Sequence, residues 1–564
     1  MVRSRRTPLL LAVFAFGVYL TNLRPMGLGD TIPARLLPFS ILRQGNLDLD
    51  EFEWLRSNGA EPYFLKRDAA GHWRSKYPVA TPCLMTPLAW PFVWLARGHG
   101  IDDGDARFRL LTVVFERLAA ALLAAASVAL VLMAARRVAS PPWAAAGALV
   151  YAFGTNTWVN SSQALWQHGL VELGFAGAIL CLLRAGGRRN ALLAGACVGL
   201  SLAARPTSVL VAAVLALYFW RERRADSRYF LAPLAAVAVA LLWYNIGTLS
   251  QPTGGYTTSR LTLPSPERLF GLLVSPSRGL LVYCPLALLA CGALSRRTHP
   301  SLLRYLAAAP LAYVAFYSGF TLWWGGHSYG PRFFTDVMPL VAICAVAVAQ
   351  RSCSNGGRRM LLLAGALWCV GVQVIGVYFD DNGWNRRPAN IDNEAARLWD
   401  WSDPQILRAA RSAWHGWDLA PLLRQLVTDP RPALLVPLEP AALAGSIEAE
   451  MSTPWRFEAG RGGVMDIRVT NQSDGTVWPA FSDWGPLDVG VLAYWRSGET
   501  VQQAIGGFIP FRRHLGPGDR EHVREWIAAP AGAGTYDLEL AIVQNLDGAG
   551  RYGGASLTVP VVVE

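Results

Sequence analysis

Long apolar runs separated by short polar segments dominate the chain from Pro8 to about Tyr378. Several of these runs approach the ~20 residues that an α-helix needs to cross a bilayer. The pattern therefore predicts a polytopic α-helical membrane protein with about 11 transmembrane helices. The predicted spans are 8–21, 109–135, 142–158, 165–184, 190–203, 206–220, 229–247, 279–295, 302–323, 333–350 and 359–378.

Two regions do not fit a simple spanning helix. The short runs 190–203 and 206–220 flank Arg205-Pro206, so they fit either one broken helix or two close-packed helices. The apolar stretch 82–97 is interrupted by prolines, which disfavour a regular spanning helix. We expect that stretch to form a helix lying at the membrane surface.

The periodicity changes from about residue 446 to short alternating strands separated by turn signals, which predicts a C-terminal all-β sandwich. The chain then divides into a transmembrane domain (1–380), a connector with short helices (381–445) and the sandwich (446–564). The predicted connector helices are Glu394–Trp401 and Pro404–Trp414, and the predicted strands are Gly463–Thr470, Leu487–Trp495, His522–Ala528, Thr535–Gln544 and Ser556–Val563.

Composition agrees with a membrane protein. The 564 residues are 52% hydrophobic and 16% charged, whereas soluble domains carry about 25% charged residues. This argues against a soluble enzyme, and the apolar content excludes a disordered chain. The eight cysteines show no CxxC or Cys/His spacing, so neither a disulfide framework nor a zinc site is expected.

The net charge of +11 is explained by arginines in the loops between predicted spans, where they set the orientation of the chain in the membrane. If the N-terminus is cytoplasmic and every span crosses, each cytoplasmic loop carries at least two arginines, as the positive-inside rule expects. The large loop 22–108, the loops 248–278 and 324–332 and everything after 378 then lie on the extracytoplasmic side. We do not expect nucleic-acid binding, because the arginines lie in topology-setting loops. They are Arg136, Arg137, Arg184, Arg188, Arg189, Arg221, Arg223, Arg224, Arg228, Arg296, Arg297, Arg351, Arg358 and Arg359.

Two charged residues of the first outer loop are candidates for chemistry. Asp30 follows the first span almost at once, which places a carboxylate at the outer interface. It fits a base that takes a proton from an acceptor hydroxyl, or a cap for the helix starting near Pro33. Lys76 is one of only two lysines among 51 basic residues. Its compact charge suits a phosphate, and an ordinary solvated lysine is the alternative.

A glycine-rich outer loop, Trp323 to Arg332, is the next candidate and includes His327 and Tyr329. Glycines let the backbone approach a ligand closely. Arg332 stands at the N-terminal end of the next helix, where anions are favoured. The loop fits an anion site, and an interfacial aromatic belt with a snorkelling arginine is the alternative.

Three further residues are candidate substrate ligands, namely Arg35 on an amphipathic piece, His168 at an outer helix end and Arg278 before the span near Gly279. Helix capping explains the serines around Arg278 equally well, and a buried, satisfied histidine is the alternative for His168. An acidic run suits either a divalent metal or a solvated face, so a metal is possible and no ligand is assigned. That run is Asp48, Asp50, Glu51 and Glu53.

Short motifs within residues 8–380 resemble the GT-C superfamily of membrane glycosyltransferases, and within it the bacterial protein O-mannosyltransferase and aminoarabinose-transferase-like families. Their order along the chain resembles these families more specifically than any one motif does. They are Gly29-Asp30, Lys76 to Pro91, Gly199-Leu200 to Arg205-Pro206, Ser275 to Leu281 with Tyr283-Cys284-Pro285, and Gly330-Pro331-Arg332 to Pro339.

The resemblance implies a polyprenyl-phosphate-linked sugar as donor and transfer on the outer face of a bacterial inner membrane, usually with inversion. It implies Asp30 as the catalytic carboxylate, Lys76 as the lysine that meets the lipid phosphate and Arg332 as a phosphate contact. The acidic pair of O-mannosyltransferases is here Asp30-Thr31, so the second carboxylate is absent. The β-region resembles Ig-like or carbohydrate-binding-like sandwiches attached to some of these enzymes.

These observations predict a glycosyltransferase that moves a hexosyl or pentosyl group from a polyprenyl-phosphate donor to a hydroxyl of a glycan, lipid or protein, with Asp30 as the base. Membrane lipids are the other expected partners. A transporter or flippase of lipid-linked sugars is one alternative, and it would need a through-path with intramembrane polar residues. A non-catalytic scaffold that presents the sandwich for glycan binding is the other.

Overall fold

The computed structural model describes residues 6–24, 26–27, 29–56, 61–104, 106–184, 186–256, 260–295, 299–352, 355–380, 382–386, 390–412, 438–480, 488–498, 500–511, 514–546 and 549–564. Helices dominate up to Arg411, and strands dominate after Leu443. The α-helices are α1 (Arg6–Leu20), α2 (Ile32–Arg43), α3 (Ala80–Gly98), α4 (Ala106–Val138), α5 (Pro141–Phe153), α6 (Gln167–Leu182), α7 (Arg188–Ala204), α8 (Val209–Glu222), α9 (Ser227–Leu249), α10 (Pro266–Val274), α11 (Leu280–Tyr283), α12 (Ser301–Tyr317), α13 (Met338–Ser352), α14 (Gly356–Phe379) and α15 (Gln405–Arg411).

Each apolar run predicted as a span contains helix. Within the described residues, four segments are long and apolar enough to cross a membrane, namely Arg107–Val138, Arg224–Leu249, Arg332–Ser352 and Gly356–Phe379. The chain is thus mostly helical with the segments of a membrane protein, while a count of about 11 crossings and the topology stay predictions. Shorter apolar helices are Arg6–Leu20, Gln167–Leu182, Pro285–Leu294 and Ser301–Tyr317.

The two ambiguous regions have clear local structures. The chain turns at Arg205, whose backbone is extended (φ −153°, ψ 120°), so α7 and α8 are two helices. Helix α7 packs on α6 and α9, whereas α8 packs on α12. Helix α3 continues through its internal prolines, and its exposed face carries Trp90 and Trp94. Such a face suits a membrane–water interface.

The loop 22–108, which the topology prediction makes the first outer loop, is folded around a small hairpin. Strands β1 (Leu65–Arg67) and β2 (Trp73–Ser75) pair antiparallel, with Lys66 opposite Arg74. The backbone N–H of Leu49 donates to the Trp73 carbonyl at 2.9 Å, which ties the loop before the hairpin to its second strand. The hairpin therefore fixes the chain on either side of it, including the two tyrosines described below.

The C-terminal region is all-β in its described part, as predicted, and consists of two sheets. One has the strand order β4-β10-β9-β6-β7 and the other β3-β5-β8. Their facing sides share a core that includes Trp455, Met465, Val491 and Leu540. An Ig-like assignment and the domain boundaries stay predictions. The strands are β3 (Gly445–Ala449), β4 (Trp455–Phe457), β5 (Gly463–Asn471), β6 (Val489–Ser497), β7 (Thr500–Pro510), β8 (Arg520–Ile527), β9 (Gly534–Leu546) and β10 (Ala549–Val563).

The connector predicted over 381–445 begins with short helices close to those expected. A 3₁₀ segment spans Ala395–Trp399, and α15 spans Gln405–Arg411. The end of the predicted helix Pro404–Trp414 lies outside the described residues, as does 413–437. The described part of the connector packs on the loop before α11, where Ser275 Oγ donates to the Leu398 carbonyl at 2.6 Å.

Candidate functional site

Asp30 lies in a single 3₁₀ turn between α1 and α2. The residue at the N-cap position of α2 is Thr31, and no side chain caps that helix. The carboxylate of Asp30 instead accepts hydrogen bonds from Tyr63 and Tyr77 and pairs with Arg332. The capping role considered from the sequence is therefore not the one that the side chain performs.

The Asp30 carboxylate uses its two oxygens differently. The hydroxyls of Tyr63 and Tyr77 both donate to Oδ1, at 2.9 and 2.6 Å. Nη1 of Arg332 donates to Oδ2 at 3.2 Å. A carboxylate offers about four lone-pair sites, so the contacts leave one on Oδ2. The Asp30 side chain is 21% exposed, so this oxygen is accessible to a ligand.

The two tyrosines are fixed as hydrogen-bond donors. Loss of water around the two hydroxyls and the neighbouring Asp30 carboxylate raise the pKa of Tyr63 and of Tyr77 well above the ordinary value for tyrosine. Both hydroxyls therefore stay protonated across the physiological range. Their two hydrogen bonds hold the carboxylate in one orientation.

Arg332 is the cation of this site. It begins the 3₁₀ segment Arg332–Val337 that leads into α13, and its guanidinium lies over the Trp166 ring at 4.8 Å. Its side chain makes one hydrogen bond within the described residues, to Asp30, and its buried Nε has no partner there. Since a guanidinium has five N–H donors, Arg332 retains donors for an anion.

The backbone before Arg332 has a conformation that only glycine adopts easily. Gly330 has φ +70°, and a Cβ there would lie 2.7 Å from the Tyr283 ring. This turn brings the Arg332 side chain to Asp30 across 302 residues of sequence.

Lys76 directly precedes Tyr77, which bonds Asp30. Its backbone N–H donates to the Phe64 carbonyl at 3.0 Å, and its carbonyl accepts from Gly255 at 3.2 Å. Lys76 is half-buried, and its amine has no hydrogen-bond or ion-pair partner among the residues described. Its backbone is therefore fixed directly next to Tyr77, a residue that bonds Asp30.

Arg278 has a different environment from that expected. It is 1% exposed, and all five of its N–H groups donate to protein oxygens. No donor is left for a substrate phosphate, so the structure does not bring Arg278 into the site. The acceptors are the carbonyls of Trp324, Ser277 and Gly326 at 3.1, 2.7 and 3.4 Å, and the side-chain oxygens of Gln405 and Asn385.

Gln405, the first residue of α15, completes this arrangement. Its buried side chain accepts from the Gly330 N–H at 3.2 Å and donates to the Ser328 carbonyl at 3.2 Å. Arg278, Gln405 and Asn385 thus join the connector to the loop that carries Arg332, and we call these three residues the connector clamp.

His168 belongs to a buried polar set rather than to the Asp30 site. Its Nδ1 lies 2.7 Å from Asp336 Oδ1, and Arg205 pairs with Asp336 at 3.3 Å. Arg205 also donates to the Tyr317 hydroxyl at 3.2 Å. We refer to His168, Arg205 and Asp336 as the inner triad. Opposite charges are paired within it, as expected where ionisable groups lie among apolar helices.

The remaining candidates make structural contacts. The Tyr329 hydroxyl donates to the Val372 carbonyl at 2.9 Å, and His327 Nε2 lies 3.0 Å from Asn390 Oδ1. Arg35 pairs with Glu116 at 3.6 Å. None of these three bonds Asp30 or Arg332 within the described residues.

The acidic run contributes to a cluster with a histidine. Ligand atoms of Asp48, Asp50 and His72 lie within 4.8 Å of one another. His72 Nδ1 is 2.6 Å from Asp50 Oδ2, and Arg74 is 3.6 Å from Asp48 Oδ2. The donor types suit a divalent cation, but Arg74 already supplies positive charge to Asp48. We assign no metal ligands here.

Sequence reasoning did not select Tyr63, Tyr77 or Trp166 as site residues. The position of Tyr77 directly after Lys76 was the one usable signal. Tyr63 lies 33 residues from Asp30 in no recognisable motif, and Trp166 is one of 22 tryptophans. Their roles depend on tertiary contacts.

No family model matches the chain, and no curated protein does. The chain is similar to the apo oligosaccharyltransferase of Archaeoglobus fulgidus, with a TM-score of 0.39, 10% identity and coverage of 76% of this chain and 59% of the other. It therefore spans less than two thirds of that enzyme. A second similarity is to the Pseudomonas fluorescens alkylpurine DNA glycosylase AlkC bound to DNA containing an abasic site analogue, with a TM-score of 0.14, 11% identity and coverage of 77% and 97%. Similarities this weak establish neither a family nor a function.

Proposed function

We propose that this chain is a GT-C-type membrane glycosyltransferase that transfers a sugar from a polyprenyl phosphate to an acceptor hydroxyl at the Asp30–Arg332 site. The observation that carries the proposal is a carboxylate, held by two tyrosines, paired with an arginine that retains most of its donors. Both groups lie where the apolar helices end and the outer loops begin.

Asp30 would act on the acceptor. The remaining lone pair of Oδ2 accepts a hydrogen bond from the acceptor hydroxyl and takes its proton as the new bond to the anomeric carbon forms. The two tyrosine hydroxyls keep Oδ1 occupied, so the acceptor meets Oδ2, beside Arg332. A single carboxylate is sufficient for this step, which agrees with the absence of a second acid at Thr31.

Arg332 and Lys76 would act on the donor. As the bond between the anomeric carbon and the phosphate oxygen breaks, the leaving polyprenyl phosphate gains negative charge. Guanidinium and ammonium groups placed at that oxygen stabilise the charge most in the transition state. Trp166, beneath the Arg332 guanidinium at 4.8 Å, limits the solvation of the cation. The apolar helices would accept the polyprenyl chain from the bilayer side.

A flippase would use polar groups inside the membrane, and the buried ionisable groups of the described helices include the inner triad and Glu172 on α6. Within the triad, Arg205 pairs with Asp336 at 3.3 Å and His168 Nδ1 lies 2.7 Å from Asp336 Oδ1, which supports a structural role. The glycosyltransferase proposal is preferred because Asp30 and Arg332 combine an unused acceptor site and unused donors at one partly exposed place.

The test is transfer by the purified full chain in nanodiscs, supplied with a panel of polyprenyl-phosphate sugars and followed by release of polyprenyl phosphate. The variant Asp30→Asn keeps the size of the side chain but removes the base, and we expect transfer to fall by about 10²–10⁴-fold. The matched control is Asp102→Asn, which changes an exposed aspartate of the same loop. Full activity of Asp30→Asn would overturn the assignment of the base.

A second measurement, the binding of polyprenyl phosphate, does not require the sugar to be known. Polyprenyl phosphate without a sugar is the expected product and should bind the full chain. We expect Arg332→Gln to weaken that binding and Asp102→Asn to leave it unchanged. Equal binding by wild type and Arg332→Gln would contradict the assignment of the phosphate site.

A further inference from the structure

A cavity of about 510 Å³ lies among the helices, away from the Asp30–Arg332 site. Its walls come from α5, α13, α14 and the 3₁₀ segment Pro285–Leu294. Neither Asp30 nor Arg332 lines it, nor does any residue that contacts them. The volume lies in the range of small-molecule sites, and nothing in the proposed reaction uses it.

The shape and chemistry of the cavity suit a hydrocarbon chain. On α13 it is lined by a single stripe that runs from Met338 to Ala349, which corresponds to about 16 Å of helix. Nearly all lining side chains are apolar. Leu363 and Pro142, both on its wall, are exposed at the surface of the helices, so a chain can enter sideways from the bilayer.

One end of the cavity carries a single arginine. Arg359 lines it there, at the beginning of α14. Arg351 and Arg358 are also exposed nearby along the chain, and the sequence from 351 to 359 contains no aspartate or glutamate. Basic pockets between membrane helices are typical sites for anionic lipid headgroups. The charge therefore complements a negatively charged headgroup.

We propose that this cavity binds an anionic glycerophospholipid, with an acyl chain along α13 and the phosphate at Arg359. The donor lipid is a different ligand, because its phosphate is assigned to Arg332, which precedes α13, whereas Arg359 lies near the other end of that helix. The 17 residues from Arg332 to Ala349 correspond to about 25 Å of helix. The distinction from the donor lipid rests on the proposed function, whereas binding of an anionic lipid in this cavity does not.

The test is native mass spectrometry of the purified full chain, delipidated in detergent and titrated with phosphatidylglycerol or phosphatidylcholine of identical acyl chains. Ala366→Phe fills the cavity, and its matched control Ala364→Phe adds the same ring to an exposed position of α14 that does not line it. Arg359→Gln removes the charge and leaves the cavity open. Its matched control, Arg189→Gln, removes an exposed arginine elsewhere.

We expect wild type, Ala364→Phe and Arg189→Gln to bind phosphatidylglycerol more tightly than phosphatidylcholine. Arg359→Gln should reduce the preference about fivefold, the effect of one arginine near a lipid headgroup, and Ala366→Phe should abolish the bound lipid. If thermal unfolding shows that Ala366→Phe is not folded, the lipid preference of Arg359→Gln decides the outcome.

Three results would overturn the proposal. The first is equal affinity of wild type for the two lipids, and the second is lipid binding by the variants that matches their controls. The third is complete displacement of phosphatidylglycerol from wild type by equimolar polyprenyl phosphate, together with loss of polyprenyl phosphate binding in Ala366→Phe, which would assign the cavity to the donor chain instead.

Discussion

Arg332 and Arg278 have nearly the same sequence setting and opposite environments. Each follows small or proline residues in an outer loop and stands close to the start of a helix. Arg278 is buried and directs all five N–H groups at protein oxygens. Arg332 is partly exposed and makes one side-chain hydrogen bond among the described residues, to Asp30.

The difference shows that the number of satisfied donors separates a structural arginine from a ligand-binding one. A buried guanidinium is stable only when its donors are paired, and Arg278 meets this condition through the connector. Arg332 instead keeps donors near a carboxylate and an aromatic ring. The connector clamp then links the two, because Gln405 bonds both Arg278 and the backbone of Gly330.

Among the variants that test the contrast between the two arginines and their surroundings, Arg332→Gln should have the largest effect on activity. Arg332→Gln removes the charge that meets the leaving phosphate, and we expect the transfer rate to fall about 10²–10³-fold, as for loss of one transition-state donor. The unfolding temperature should stay close to that of wild type, because the side chain bonds only Asp30 among the described residues. Rate and thermal unfolding measured on the same nanodisc preparation check both parts. If Arg332→Gln lost much stability but kept normal transfer, Arg332 would be a structural arginine, and the proposed difference from Arg278 would be wrong.

Replacing Arg278 should mainly affect stability. Arg278→Met leaves buried oxygens without donors, and each such group costs ~1–3 kcal/mol. We expect a marked fall in unfolding temperature in detergent. Binding of polyprenyl phosphate per folded molecule should fall much less than in Arg332→Gln. An unchanged unfolding temperature combined with lost phosphate binding would place Arg278 in the site after all.

Gln405 tests whether the connector clamp positions Arg332. Gln405→Leu removes the acceptor of the Gly330 N–H, and we expect a destabilisation of ~1–3 kcal/mol together with a lower kcat. Gln405→Glu retains an acceptor oxygen and should restore more of the kcat than of the stability, since a buried carboxylate brings its own desolvation cost. Normal kcat in Gln405→Leu would show that the clamp stabilises the loop without positioning the arginine.

Tyr77 should give the smallest effect. Tyr77→Phe removes one hydrogen bond to Asp30, but Tyr63 still donates to the same oxygen. We therefore expect a decrease in rate of about fivefold, which corresponds to ~1 kcal/mol. Because the pKa of Tyr77 is raised, its hydroxyl does not ionise below pH 10. The pH–rate profile of the variant should therefore keep the shape of the wild-type profile up to that pH. A lost alkaline limb in the variant would mean that Tyr77 itself titrates.

The sequence predicted the helices well because an apolar run of this length forms few stable structures other than a helix in a membrane protein. Strand β7 (Thr500–Pro510) was missed because it contains two adjacent glycines and little alternation. Strand β4 has only three residues, and its parallel pairing with β10 joins segments about 100 residues apart. Such long-range pairing produces no local sequence pattern from which β4 could be predicted.

For the site, the sequence selected Asp30, Lys76 and Arg332 individually, but not the contact between Asp30 and Arg332. It also grouped Arg278 with them, because a loop position beside a helix start does not reveal burial. The connector residues that satisfy Arg278 lie 107 and 127 residues further along the chain. Whether all N–H donors of an arginine are hydrogen-bonded depends on such distant partners, and these partners cannot be identified from one sequence.

The glycine at position 330 has a consequence for protein engineering. Its positive φ and its contact with Tyr283 exclude almost every side chain, so the loop before Arg332 tolerates little diversification. The segment around Tyr63, by contrast, belongs to a loop whose tyrosine is largely exposed, at 53%. Libraries designed to alter acceptor preference should therefore vary positions around Tyr63 while keeping Tyr63, Tyr77 and the Gly330 turn constant.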